Sequence, residues 1–119
     1  MSVPSEIPVR RDGGVAVVSP SGELDAVTSP ALAETLDALL LAPEDPVRGV
    51  VVDLASVTFC DSRCIGVLVA AYRQARDRGI GLAVAAPQRT VLRLLVIAGI
   101  DQVITIESDP LVAREAVLA

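Results

Sequence analysis

Histidine, lysine and tryptophan are absent from this 119-residue chain, which has one Phe and one Tyr. Without histidine, the Ser-His-Asp and Cys-His nucleophile systems, imidazole acid/base catalysis and the usual zinc-hydrolase ligand sets are excluded. Without lysine there is no Schiff-base chemistry and no phosphate-loop lysine. All 10 basic residues are Arg, against 15 acidic ones, for a formal charge of −5. An acidic chain with 2% aromatic residues offers neither a basic stripe for a phosphate backbone nor a platform for stacking bases, so no direct nucleic-acid binding is expected.

Cysteine is scarce too. Cys60 and Cys64 are too few for a secreted disulfide framework, and two thiolates do not complete a zinc site. The default expectation is a cytoplasmic protein with reduced thiols and no cofactor or metal. Met1 to Glu6 carries no basic region leading into an apolar run, and no segment has 18 uninterrupted apolar residues. A soluble protein that is neither exported by the standard route nor inserted in a membrane is expected.

What the chain has in quantity is aliphatic side chains, with 52% apolar residues in 12.3 kDa. This suits one domain over residues 1–119, ordered from about 7 to 118. Asp12-Gly13-Gly14 is a short-loop signal between an alternating segment around Ile7 to Arg11 and the run Val15 to Val18, predicting an opening β-hairpin. Thr28-Ser29-Pro30 supplies a cap residue and an early proline for a helix carrying Leu32, Leu36, Leu39 and Leu40, running to about Leu41 before Pro43.

Val50 to Leu54 is β-branched and apolar on both faces, as in a central strand covered on two sides. Ser62 can cap a helix from about Arg63 to Arg78, with Ile65, Leu68, Tyr72 and Ala75 on its inner face and Gly79 as terminator. Leu82 to Ala85 reads as a second buried strand, Thr90 to Ala98 as a helix closed by Gly99, and Val103 to Ile106 as a further strand. Asp109-Pro110 starts a last helix, Leu111 to Leu118. The order ββαβαβαβα predicts an α/β fold with a mixed, mostly parallel sheet, about four helices, and the N-terminal strand antiparallel at an edge.

In such a sheet, partners meet the loops beyond the carboxyl ends of the strands. Two of these are notably polar: Gly22-Glu23-Leu24-Asp25, and Phe59 to Gly66 leading into a helix N-terminus. That terminus tolerates an anion electrostatically. Ser62 is the hydroxyl there, open to two readings, a plain N-cap or a modification site. Glu23 and Asp25 lack the metal set or nucleophile that general acid/base work needs, which favours a loop cap or an interface contact. Glu44-Asp45-Pro46 is an ordinary solvated turn. Val91, Leu95 and Ala98, at helical spacing, read as core, with part of that face available for docking.

The succession Gly22-Glu23-Leu24-Asp25, Val50 to Leu54, Phe59-Cys60-Asp61-Ser62-Arg63-Cys64-Ile65-Gly66-Val67-Leu68, Val91 to Leu95 and Gly99-Ile100-Asp101 resembles a STAS domain. More narrowly, it is similar to the bacterial anti-sigma factor antagonists, over about Ile7 to Leu118. The resemblance implies a partner switch without catalytic activity of its own. Such a protein binds an anti-sigma factor, a serine kinase of the histidine-kinase-like ATPase fold, and so frees a sigma factor for transcription. The kinase phosphorylates a hydroxyl at the start of the second helix, adding about −1.5 to −2 charges, and a phosphatase restores the binding form.

Carried over by position, Asp25 matches the acidic residue near the phosphorylation site, and Asp61 and Ser62 match the opening of the Asp-Ser-Ser/Thr-Gly turn. The phosphoacceptor position holds Arg63, and the following glycine is Cys64. Arginine cannot accept the phosphoryl group. Three replacements are open: phosphorylation of Ser62 instead, phosphorylation-independent binding in which Arg63 pairs with a partner carboxylate, or a thiol switch in which Cys60 and Cys64 close a disulfide, which requires Cα atoms within about 7 Å. Against the last two stand a merely solvated Arg63 and cysteines acting as small buried hydrophobes. The partner-binding surface is expected to centre on Asp25, Asp61, Ser62, Arg63 and Cys64. The alternative from another class is the soluble STAS subunit of a membrane lipid-transport ATPase complex. Small-ligand sensing in the turn ranks last, since neither a phosphate loop nor an aromatic cage supports it.

Overall fold

The computed structural model describes residues 7–119; the reading of Met1 to Glu6 lies outside them. The opening hairpin joins β1 (Val9–Asp12) to β2 (Val15–Val18), with Asp12 opposite Val15. The two-residue loop needs positive φ at both positions, and Gly13 and Gly14 supply it at 59° and 86°.

After β3 (Ser21–Leu24) come α1 (Ser29–Leu40), β4 (Gly49–Asp53), β5 (Ser56–Cys60), α2 (Ser62–Asp77), β6 (Gly81–Ala85), α3 (Arg89–Ile97), β7 (Thr105–Glu107) and α4 (Pro110–Leu118). The main sheet has the order β1-β2-β4-β6-β7, antiparallel only between β1 and β2. The expected class, a mixed and mostly parallel sheet with four helices and an antiparallel edge, therefore holds, with β4 at the centre.

Strand alternation sorts the core into two layers. Ala16, Val18, Val50, Val52, Leu82 and Val84 pack in one layer with Leu32 and Leu36 of α1 and Leu68 and Ala75 of α2. Val15, Val51, Ala83 and Ala85 face the other way, onto Ala113 and Val117 of α4. This explains why β4 is apolar at successive positions. The close seat of α4 requires Gly49 and Gly81, where an added Cβ would run into Val117.

Two differences from the sequence reading matter. The first is β3 and β5, which the sequence left in loops and which pair in parallel as a separate two-stranded sheet. The second is β7, which starts at Thr105 rather than Val103. After Gly99, residues Ile100–Gln102 form a 3-10 turn, and the Val103 and Ile104 amides both donate to the Ile100 carbonyl, at 3.0 and 2.8 Å. Val103 is spent on that turn and left exposed. On α3, Val91 and Leu95 are buried as expected, whereas Ala98 is its exposed cap.

Candidate functional site

The small sheet builds the site. β3 and β5 run in parallel to a common end, where Leu24 lies opposite Cys60. The next residues, Asp25 and Asp61, therefore emerge side by side, and the Asp61 amide donates to the Leu24 carbonyl at 3.1 Å. A register irregularity between Gly22 and Glu23 lets the inner residues Leu24 and Cys60 stay buried while Glu23 and Phe59, opposite one another, face out. The β4–β5 link is tightened by Asp53, whose Oδ1 accepts from the Ala55 amide at 2.9 Å.

Asp25 organises the first loop. Its Oδ1 accepts from the amides of Val27 at 2.9 Å and Thr28 at 3.1 Å. Thr28 Oγ1 donates to the Glu23 carbonyl at 2.6 Å and accepts from the Asp25 amide at 2.9 Å. Thr28 occupies the N-cap position of α1 without a side-chain cap bond; its hydroxyl is committed to closing the loop behind it. The Thr28 and Val27 amides, in that order, hold the Asp25 carboxyl below the ordinary carboxylate range because they stabilise the ionised form. This loop thus presents a fixed negative charge.

Asp61 organises the second. The cap of α2 is Asp61 rather than Ser62, with its Oδ1 accepting from Arg63 at 2.9 Å and Cys64 at 3.2 Å. A carboxylate at this place also complements the positive end of the helix. Ser62 is consequently the first helical residue, exposed to solvent. Its hydroxyl is free of capping, which corrects the N-cap reading. Arg63 follows, exposed, with no ion pair among the described residues. It lines a groove of about 290 Å³ between α1 and α2 together with Asp37, Gly66 and Ala70.

Below the turn, Cys60 and Cys64 are paired as a disulfide with Cα atoms 5.5 Å apart, and both are buried. The expectation of reduced thiols thus differs from the structure: capping by Asp61 starts α2 at once after β5 and folds Cys64 back over Cys60. The five residues singled out in the sequence as the partner surface occupy one edge of the small sheet. Asp25, Asp61, Ser62 and Arg63 lie at its surface, and Cys64 lies in its floor.

Two residues near this edge were not singled out. Val27 is 86% exposed, and Phe59, the one phenylalanine, is 44% exposed on β5. Regular alternation along Ser56-Val57-Thr58-Phe59-Cys60 would put Phe59 on the face of the buried Val57. The register irregularity, which skips Thr58 between Val57 and Phe59, turns Phe59 outward instead, and no local signal marks it. Nothing local marks Val27 either. A larger hollow of about 630 Å³, with Arg48, Arg78 and Val117 in its lining, sits at the amino ends of β4 and β6, the opposite edge from Asp25 and Asp61. Among the described residues no helix is long and apolar enough to cross a membrane, and no three acidic, cysteine or histidine side chains are grouped to hold a metal.

Known proteins resemble this chain in sequence and in fold. A family model described as "Mlab, STAS domain" matches residues 7–111. The anti-sigma-B factor antagonists of Listeria monocytogenes and Listeria innocua are each 31% identical over 88 residues, covering 74% of this chain and 75% of theirs. The crystal structure of an anti-sigma factor antagonist from Mycobacterium paratuberculosis is 31% identical, with a TM-score of 0.84 over 95% of this chain and 93% of that one. The phosphorylated form of SpoIIAA, a Bacillus cell fate determinant, shares the fold at 14% identity, with a TM-score of 0.69 over 92% and 96% of the two chains. With a family model over most of the chain and relatives 31% identical in sequence and alike in fold, the chain belongs to the STAS-domain family of anti-sigma factor antagonists.

Proposed function

We propose that this protein is a cytoplasmic anti-sigma factor antagonist that binds a kinase-like anti-sigma factor without catalysing a reaction, and that its binding does not depend on phosphorylation at the usual position. The observation that carries this reading is Arg63. It occupies the turn where the family resemblance places a hydroxyl, and it is exposed and unpaired among the described residues. A planar guanidinium there can grip a carboxylate of the partner in a bidentate pair. The fixed charge of Asp25 and the exposed apolar Val27 and Phe59 complete a surface with the mixture of anchors that specific interfaces use.

The test is binding of the purified protein to anti-sigma factors of the histidine-kinase-like ATPase fold, by calorimetry with and without ATP, alongside intact-mass analysis. Binding that persists in ATP with no added phosphoryl group supports the reading, as does a loss of about tenfold or more in affinity for Arg63→Ala. Phosphorylation of Ser62 with loss of binding would overturn it. The variant Arg63→Ser restores a hydroxyl at the family's position and is expected to become a kinase substrate. The antagonist names of the curated relatives favour this reading over a subunit of a lipid-transport ATPase complex.

A further inference from the structure

We propose that Cys60 and Cys64 form a reversible dithiol–disulfide centre that locks or releases the turn carrying Ser62 and Arg63. The pair joins the last residue of β5 to the first turn of α2, and it encloses the half-buried cap Asp61 and the exposed Ser62 and Arg63 of the candidate site. A Cα separation of 5.5 Å lies in the middle of the range that a disulfide spans without backbone movement.

Without the cross-link, the turn is held by the Arg63 and Cys64 amides donating to Asp61 Oδ1, the Ile65 amide donating to the Asp61 carbonyl, and the Asp61 amide donating to the Leu24 carbonyl. All four involve a single residue. The disulfide adds a covalent tie that does not depend on Asp61. Both sulfurs are covered, at 1% and 0% residue exposure, so an exchanging thiol or disulfide reaches them only when the first turn of α2 opens. Redox state and turn opening are thereby coupled: the bond forms or breaks through the open turn and, once formed, holds it closed.

The oxidant is a low-molecular-weight disulfide. One cysteine thiolate attacks it, forming a mixed disulfide and expelling one thiolate. The second cysteine then displaces the other thiolate and closes the Cys60–Cys64 bond. Two protein thiols are oxidised, one small disulfide is reduced to two thiols, and the reverse exchange with a dithiol restores the open form. The consequence for partner binding rests on the function proposed above, but the centre itself is measured on the isolated protein, so the two can fail separately.

The experiment equilibrates the protein in a series of oxidised and reduced glutathione ratios, traps free thiols by alkylation under denaturing conditions and counts them by mass. Amide hydrogen exchange is followed on the fully oxidised and fully reduced forms. A reversible two-thiol transition, with exchange at residues 62–65 about tenfold slower in the oxidised form, is the expected result. Thiols that stay alkylatable throughout the series, or equal exchange in the two forms, would overturn the proposal. Cys60→Ala should exchange like the reduced form whatever the glutathione ratio. Should that variant fold poorly, the titration of the unaltered chain decides alone.

Discussion

The five-stranded sheet and the two-stranded β3–β5 sheet are built by different physics. In the large sheet, β4 and β6 are buried on both faces between the α1–α2 layer and α4, and the register follows from aliphatic side chains that must stay out of water. In the small sheet only the inner residues are buried. Its register shifts between Gly22 and Glu23, and side-chain acceptors from Asp25, Asp53 and Asp61 fix its ends. The lesson is a division of labour: the large sheet carries the stability, and the small one carries a presented surface.

Substitutions can break that division. The largest expected effect is Leu36→Ala in the layer over the large sheet, which should cost about 2–5 kcal/mol in urea denaturation while leaving partner affinity unchanged at temperatures where the variant is folded. Asp61→Ala should cost about 1 kcal/mol through loss of the cap. Because the same carboxylate fixes Arg63, it should also weaken partner binding, a double effect that Leu36→Ala must not show.

Asp25 sharpens the comparison through pH. Its folded-state pKa lies below the ordinary value, so its contribution to stability is complete above the unfolded carboxyl's pKa and is lost as pH falls through the lower folded value. Asp25→Asn keeps an oxygen to accept from the Thr28 and Val27 amides but cannot titrate, so its stability should fall less between about pH 5 and pH 2 than that of the unaltered chain. Denaturant midpoints across that range measure it; parallel curves would remove Asp25 from the account. The smallest effect on folding belongs to Val27→Ala and Arg63→Ala, within about 0.5 kcal/mol of the unaltered chain, although both should lower partner affinity.

Legibility in the sequence follows the same line. The hairpin at Gly13-Gly14, the early prolines of α1 and α4, the Asp109 cap of α4, and the buried strands β4 and β6 are readable because each depends on near neighbours. The 3-10 turn at Ile100–Gln102 was missed since a helix closed by glycine and a following apolar run look alike whether or not a tight turn intervenes. The pair β3 and β5 was missed for a deeper reason. Each is short and mostly exposed, and each becomes a strand only by lying beside the other.

By itself, the sequence determined the aliphatic α/β architecture, the absence of histidine and lysine chemistry, and the presence of arginine where the family resemblance places a hydroxyl. Those are properties of residue type and short-range spacing. The tertiary structure alone decided that Asp25 and Asp61 share an edge, that Asp61 and not Ser62 caps α2, that Cys60 and Cys64 meet, and that Val27 and Phe59 face outward. Each of these depends on how β5 leaves β4 to pair with β3 and turn at once into α2, which is settled by the packing of distant segments and not by any one of them.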